Sequence, residues 1–343
     1  MTALSLADRV LSGDVRAASR LMRLIDDEDP RATDELRRLF PHTGKATVIG
    51  ITGPPGAGKS TLTDRLVAHY RQAGRTVGVI AVDPTSPFSG GALLGDRIRM
   101  QGHASDRGVF IRSLATRGHL GGLSRATGDC LKVMEAMGRQ VVIIETVGVG
   151  QDEIDIAQLA HTTIVVLVPG MGDDIQAIKA GILEVADVFA VNKADLDGAD
   201  RVVRELRAML ELRQPIRGPV DHDAKHRLMT GTGGDPSPPG PGAWEPPILK
   251  VVAAADQGVD ELKRTVDRHG EHLVATGEIL SRERARAMTH FLSLLREKLL
   301  RAGLERLEKE RGTLELVATR IANRLADPYA LADEIANREL EPT

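Results

Sequence analysis

Apolar residues recur at helical spacing from Leu4 to Leu39, where Leu21, Leu24 and Ile25 fall on one face among many Arg and Asp. That spacing predicts amphipathic helical structure, and Pro41-His42-Thr43-Gly44 ends it. From Thr47 the pattern changes to short, unbroken, β-branched runs. These are Thr47–Thr52, Thr76–Val82, Val109–Arg112, Val141–Ile144, Thr163–Val168, Val188–Val191 and Ile248–Val252. Continuous apolar runs mark strands covered on both faces, and their alternation with helical segments predicts a doubly wound, mostly parallel α/β sheet. Gln214 to Pro247 interrupts the pattern; its Gly231–Gly242 stretch is too rich in Gly and Pro for helix or central strand and reads as a flexible surface loop. After Gly258 the pattern is helical to the end. Ser281 opens a long segment whose apolar stripe runs through Phe291, Leu294, Leu295 and Leu299. Such a stripe packs on its own domain or on a second subunit. Three regions follow: an N-terminal helical extension over 1–44, the sheet domain over 45–275 with an insertion near 214–247, and a C-terminal helical arm over 276–343.

Composition sharpens this picture in a few places. Of 343 residues 42% are hydrophobic but only 2% aromatic, so the core is built from Val, Ile, Leu and Ala. A net charge of −3 offers no basic surface for nucleic acid or an acidic membrane. Cys130 is the only cysteine, which excludes an internal disulfide and a cysteine-based metal cluster. Met1 to Arg23 is charged throughout and lacks the apolar core of a signal peptide, and no stretch is apolar enough to span a bilayer, so a cytoplasmic protein is expected.

The chemistry begins directly after the first strand. Gly53, Pro54, Pro55, Gly56, Ala57, Gly58, Lys59 and Ser60 match a complete P-loop, followed by Thr61 and a helix to Arg71. Glycines let backbone N–H groups turn inward around a β-phosphate. Lys59 adds positive charge near the β- and γ-phosphates, Ser60 offers a hydroxyl to Mg²⁺, and the helix N-terminus adds its partial positive charge. A second acidic group is expected near Mg²⁺. Glu145 supplies it at the end of the Val141 run, and Gly148 follows where a backbone N–H could reach the γ-phosphate. Asp83 ends another strand and is expected to bind Mg²⁺ directly or through its ligands. Gly90 to Arg99 reads either as a mobile switch loop, from which Asp96 could join the metal, or as a solvated turn.

Asn192, Lys193, Ala194 and Asp195 follow the Val188 run. A carboxylate at Asp195 would accept two hydrogen bonds from guanine, from the ring N–H and the adjacent amino group; adenine has neither donor there. ATP is therefore rejected. Asn192 ties this loop to the P-loop, the Lys193 stem lies over the base, and the turn Val252, Ala253, Ala254 is positioned to offer backbone N–H to the guanine oxygen. The nucleotide is thus GTP or GDP with Mg²⁺. No glutamine follows Gly148; Val149 is there and Gln151 lies further on, so intrinsic hydrolysis is expected to be slow.

Taken in order, Ile51–Thr61, Asp83–Pro87, Gly95–Met100, Glu145–Glu153, Val168–Gly181 and Asn192–Asp195 closely resemble the MeaB (ArgK-type) family of methylmalonyl-CoA mutase-associated GTPases. The resemblance covers nearly the whole chain. It implies a homodimeric chaperone that gates cobalamin loading onto an adenosylcobalamin-dependent acyl-CoA mutase and protects that mutase. It implies Mg²⁺ ligation by Ser60, Asp83, Asp96 and Glu145, and a third switch holding Asp173, Asp174, Gln176 and Lys179. Lys59, Glu145, Asp96 and Lys179 then form the hydrolytic set, and the C-terminal helices form the dimer arm. Two departures stand out: the long insertion before Trp244, and a guanine turn without the customary Ser-Ala start. Competing readings are a nickel or zinc metallochaperone, which the scattered His and single Cys disfavour, and a transport-linked kinase, which the Asn192–Asp195 loop disfavours.

Overall fold

The computed structural model describes residues 4–83, 101–103, 105–115, 122–146, 158–170, 185–212, 244–312 and 314–339. Seven strands form one sheet: β1 (Thr47–Thr52), β2 (Val77–Asp83), β3 (Val109–Ala115), β4 (Val141–Thr146), β5 (Thr162–Leu167), β6 (Val188–Val191) and β7 (Ile248–Lys250). Their order is β3-β2-β4-β1-β5-β6-β7, and every pairing is parallel. Each strand lies where an unbroken apolar run predicts it. The central strands β4 and β5 are buried at every position, which is why their sequences do not alternate.

Helices cover both faces, as a doubly wound sheet requires. On one face lie α1 (Leu6–Leu11), α2 (Val15–Asp26), α3 (Arg31–Leu39) and α5 (Gly122–Ala136), packed on Val48, Ile80, Val142 and Ile144. Further along that face α6 (Ala199–Leu212) covers Val165, Leu167, Phe189 and Val191. The opposite face, with Ile49, Ile51, Ile143 and Ile164, carries α4 (Lys59–Gln72) and α7 (Val259–Ala275).

The helical N-terminal segment is divided into three helices. Gly13 adopts φ +82 after α1, and Asp14 restarts the chain by accepting hydrogen bonds from Arg16 N and Ala17 N. Ser5 and Asp8 form a reciprocal capping box at α1. The breaks let Ala7, Val10, Leu21, Met22 and Leu39 reach one core from different directions. Each large side chain buried in this way contributes about 1.5–3 kcal/mol.

The C-terminal helices also differ in their starts. α7 ends at Ala275, Gly277 takes φ +75, and α8 runs over Glu278–Arg311. Ser281 is therefore inside α8, and the turn chemistry that starts the helix is the glycine before it. α9 (Leu314–Ala322) and α10 (Pro328–Glu339) follow. The chain divides into two compact units, Met1–Arg286 and Ala287–Thr343. Within the second unit Leu307 and Val317 are buried, while Met288, Phe291, Leu292, Leu295 and Leu299 are exposed.

The first turns of α8 are fixed to the amino ends of the strands by buried charges. Arg282 donates to Asp187 Oδ1 and Oδ2 at 2.9 and 3.0 Å and to the carbonyl of His161 at 2.6 Å. Asp187, just before β6, also accepts from Thr163 N at 2.8 Å. Val48 N donates to His161 Nδ1 at 3.1 Å, so the ring proton sits on Nε2, which donates to Glu283 at 2.6 Å. His269, wholly buried, shares a 2.8 Å hydrogen bond with Thr162 Oγ1.

Burial lowers the His269 imidazole from 6.5 to about 4, outweighing the nearby Asp187 carboxylate, which acts the other way. The unfolded imidazole gains its proton near 6.5 and the folded one only near 4. Stability is therefore complete above that window and falls as pH drops through it, by about 3 kcal/mol in all. Unfolding midpoints measured between these limits should show this slope, and His269→Gln should flatten it; an equal slope in both proteins would refute the assignment.

Candidate nucleotide site

The carboxyl ends of β1, β4, β5 and β6 converge beside the point where the strand order turns, and a doubly wound sheet opens its crevice there. β1 sits between β4 and β5, so the loop leaving it is flanked by both. Gly53 begins that loop at φ +137, and a Cβ there would lie 2.1 Å from the carbonyl oxygen of Val166 on β5. Only glycine fits. Gly58, at φ +86, forms the N-cap of α4; a Cβ on it would meet the Asn192 amide nitrogen at 2.4 Å. The two glycines thus let the loop lie against its neighbours. Gly53→Ala should abolish GDP binding and lower the melting temperature, since clash and strained backbone together cost about 3 kcal/mol or more. Calorimetric titration and a melting curve test both halves, and near-normal GDP binding would count against it.

Lys59 and Ser60 are buried at the first turn of α4. The Lys59 ammonium folds over its own loop, donating to Gly53 O at 2.7 Å and Pro54 O at 2.9 Å. Ser60 Oγ donates to Glu145 Oε1 at 2.5 Å. Glu145 pairs in register with Ile51, which brings a residue 85 positions away to the phosphate loop. Thr146 Oγ1 donates to Thr52 Oγ1 at 3.2 Å behind this pair. Asp83 ends β2 at the same edge of the sheet.

Asn192 joins three segments. Its backbone N–H donates to Leu167 O at 2.7 Å, its amide nitrogen to Ala57 O at 2.8 Å, and its amide oxygen accepts from Ala253 N at 3.0 Å. Lys193 takes φ +54 and donates to Gly56 O at 3.0 Å, so its stem crosses the loop. Asp195 is exposed. Val252 precedes a tight turn over Ala253–Ala255, and Ala254 is exposed while Ala253 is buried. The structure therefore brings together the P-loop from Gly53 through Pro54, Pro55, Gly56 and Ala57 to Thr61, then Glu145, Asn192, Lys193, Asp195 and the Val252–Ala254 turn. Asp96, Gly148, Gln151, Asp173, Asp174, Gln176 and Lys179 lie outside the described residues, as do the Gly90–Arg99 segment and most of the 214–247 insertion.

The residues that sequence reasoning missed lie in the supports. Arg65 Nε donates to Ala253 O at 3.3 Å, and His69 Nε2 lies 2.9 Å from Asp256 Oδ1. Neither belongs to a motif, and their partners are nearly two hundred positions away.

Comparison with known proteins agrees with this architecture. The family described as methylmalonyl Co-A mutase-associated GTPase MeaB matches residues 18–308. A Pyrococcus abyssi protein that carries a GTPase name is 44% identical over 330 residues, covering 96% of this chain and 94% of that one. GTPase ArgK of Escherichia coli is 34% identical over 275 residues, covering 79% and 77%. The mouse protein named methylmalonic aciduria type A homolog, mitochondrial, is 32% identical over 255 residues, covering 74% of this chain and 56% of its own length. Among solved structures, one of an LAO/AO transport system kinase superposes with a TM-score of 0.65 at 24% identity, over 98% of this chain and 97% of that one, a likeness of fold. With a family model that matches most of the chain and relatives that carry GTPase names, the chain belongs to the MeaB family and is a guanine-nucleotide-binding GTPase.

Proposed function

We propose that this GTPase is a Mg²⁺-dependent, partner-controlled chaperone of an adenosylcobalamin-dependent acyl-CoA mutase, with methylmalonyl-CoA mutase as the first candidate. The supporting observation is the family itself, whose description ties its GTPases to that mutase. The site is compatible with a switch. Lys59 is folded onto its own loop carbonyls, from which it would turn to the β- and γ-phosphates. Asp195 would accept the guanine ring N–H and amino group, and Ala254 N–H would face the guanine oxygen.

Ser60 Oγ and Glu145 Oε1 are buried oxygen donors 2.5 Å apart, a donor set that fits a hard divalent cation. They would hold Mg²⁺, with Asp83 and Asp96 completing the acidic set. Bound there, the cation would neutralise phosphate charge that develops during hydrolysis. No glutamine follows Gly148, so turnover by the chain alone is slow and a partner accelerates it. Asp173, Asp174, Gln176 and Lys179, within the Val168–Gly181 motif, would form a third switch that communicates with that partner.

The exposed apolar residues Met288, Phe291, Leu292, Leu295 and Leu299 suit a second copy of the chain, making the α8–α10 helices a dimer arm. Light scattering should report a dimer, and Phe291→Asp with Leu295→Asp should yield monomers. The chaperone reading is tested by GTP turnover with and without purified acyl-CoA mutases. Stimulation of about tenfold or more by one mutase, with co-elution, is expected. Flat turnover with every cobalamin-dependent mutase of the source organism would end this reading and leave a GTPase with another client. Among the described residues no helix is long and apolar enough to cross a membrane.

A further inference from the structure

We infer that Arg65 is a positioning residue for guanine recognition, acting through the Ala253–Ala254 peptide. The inference rests on the proposed reading of Asp195 and Ala254 as base contacts. Arg65 lies on α4, the helix whose N-terminus carries the phosphate loop. Its Nε donates to the carbonyl oxygen of Ala253 at 3.3 Å. A peptide group is planar and trans, so the Ala253 carbonyl and the Ala254 N–H share one rigid plane and point in opposite directions. Holding the carbonyl toward α4 therefore turns the Ala254 N–H the other way.

The turn is held at three further points. Ala253 N–H donates to Asn192 Oδ1 at 3.0 Å, which fixes the preceding peptide as well. His69, one turn along α4 from Arg65, lies 2.9 Å from Asp256. Val252 and Gln257 exchange backbone hydrogen bonds of 2.9 and 3.2 Å that close the loop. Val252, Ala253, Ala254 and Ala255 carry no polar side chain of their own. Backbone bonds inside the turn, from Ala255 N to Val252 O at 3.0 Å and from Asp256 N to Ala253 O at 3.2 Å, close it, and Arg65, His69 and Asn192 fasten it to the rest of the site. One helix thus carries the phosphate loop at its end and the guanine turn on its flank, which fixes the distance between phosphate and base.

The test uses the full chain and two nucleotides, GDP and 6-thio-GDP. The second keeps the ring N–H and amino group that Asp195 reads and replaces the C6 oxygen by sulfur, a weaker acceptor. The wild-type chain should prefer GDP. Arg65→Met keeps the aliphatic stem and removes the donor; it should weaken GDP about fivefold, the worth of one modest hydrogen bond. The loss for 6-thio-GDP should be much smaller, so the preference collapses. Arg65→Lys, which restores a donor, should recover part of it. Equal losses for both nucleotides, an unchanged preference in Arg65→Met, or a wild type that does not discriminate them would each overturn the inference. An ADP control separates the two levels: wild-type affinity for ADP equal to that for GDP would sink the guanine-site reading itself.

Discussion

Replacing Asp195 by Asn should lower the affinity for GDP by roughly a hundredfold or more, and should raise that for the xanthine nucleotide. The carboxylate would accept two hydrogen bonds from the guanine edge, and bonds to a charged partner are worth about 1.5–3 kcal/mol each. Asparagine keeps an acceptor for the ring N–H but turns an N–H donor toward the guanine amino group, which is itself a donor. Xanthine has a carbonyl at that position, so the substituted site matches it. Asp195 is exposed and ends no strand, so folding should survive the change intact. Titration of wild type and variant with GDP and XDP, together with melting curves, measures the effect. A variant that still binds GDP within about threefold of wild type would place guanine recognition elsewhere.

The second large effect is on stability. Arg282→Met should destabilise the nucleotide-binding unit by about 3–5 kcal/mol, because it leaves the buried Asp187 carboxylate without its cation. Both side chains are nearly inaccessible, at 8% and 6%. The pair is embedded in further hydrogen bonds, to the His161 carbonyl and from Thr163 N, so the loss reaches β5 and β6 together. For a unit of this size the melting temperature should fall by roughly 10 °C. The double variant Arg282→Met, Asp187→Leu should regain part of the loss, since no charge is then stranded. Calorimetry on the three proteins decides it. If the double variant melts below Arg282→Met alone, the hydrogen bonds of Asp187 to the backbone matter more than its charge.

Arg282 and Asp187 also show where sequence reading stops. Asp187 falls between two apolar runs and Arg282 within a charged helix, where each passes for an ordinary surface residue. They meet because β6 is added to the sheet beside β5 and α8 begins at the amino ends of both. The same holds for Arg65 and Ala253. By contrast, the seven strands were visible as apolar runs, since burial on both faces leaves a mark on every residue of a central strand such as β4 or β5. The helical stretch before Leu39 was visible too, but not where it breaks at Gly13 and Asp14, because local backbone conformation sets that break and spacing does not record it.

What the sequence determined alone is the chemistry that must be contiguous. A phosphate cradle needs consecutive backbone N–H groups and a lysine on the next turn. A guanine loop needs its asparagine and aspartate three positions apart. Gly53 to Ser60 and Asn192 to Asp195 therefore announce themselves as strings. The tertiary structure alone decided how these strings meet. Strand order β4-β1-β5 sets Glu145 within 2.5 Å of Ser60, and Asn192 reaches both Ala57 and Ala253 only because β6 stands one strand further along. Contacts across 61 to 188 positions are products of sheet topology, and side-chain periodicity, which spans a few residues, carries no trace of them.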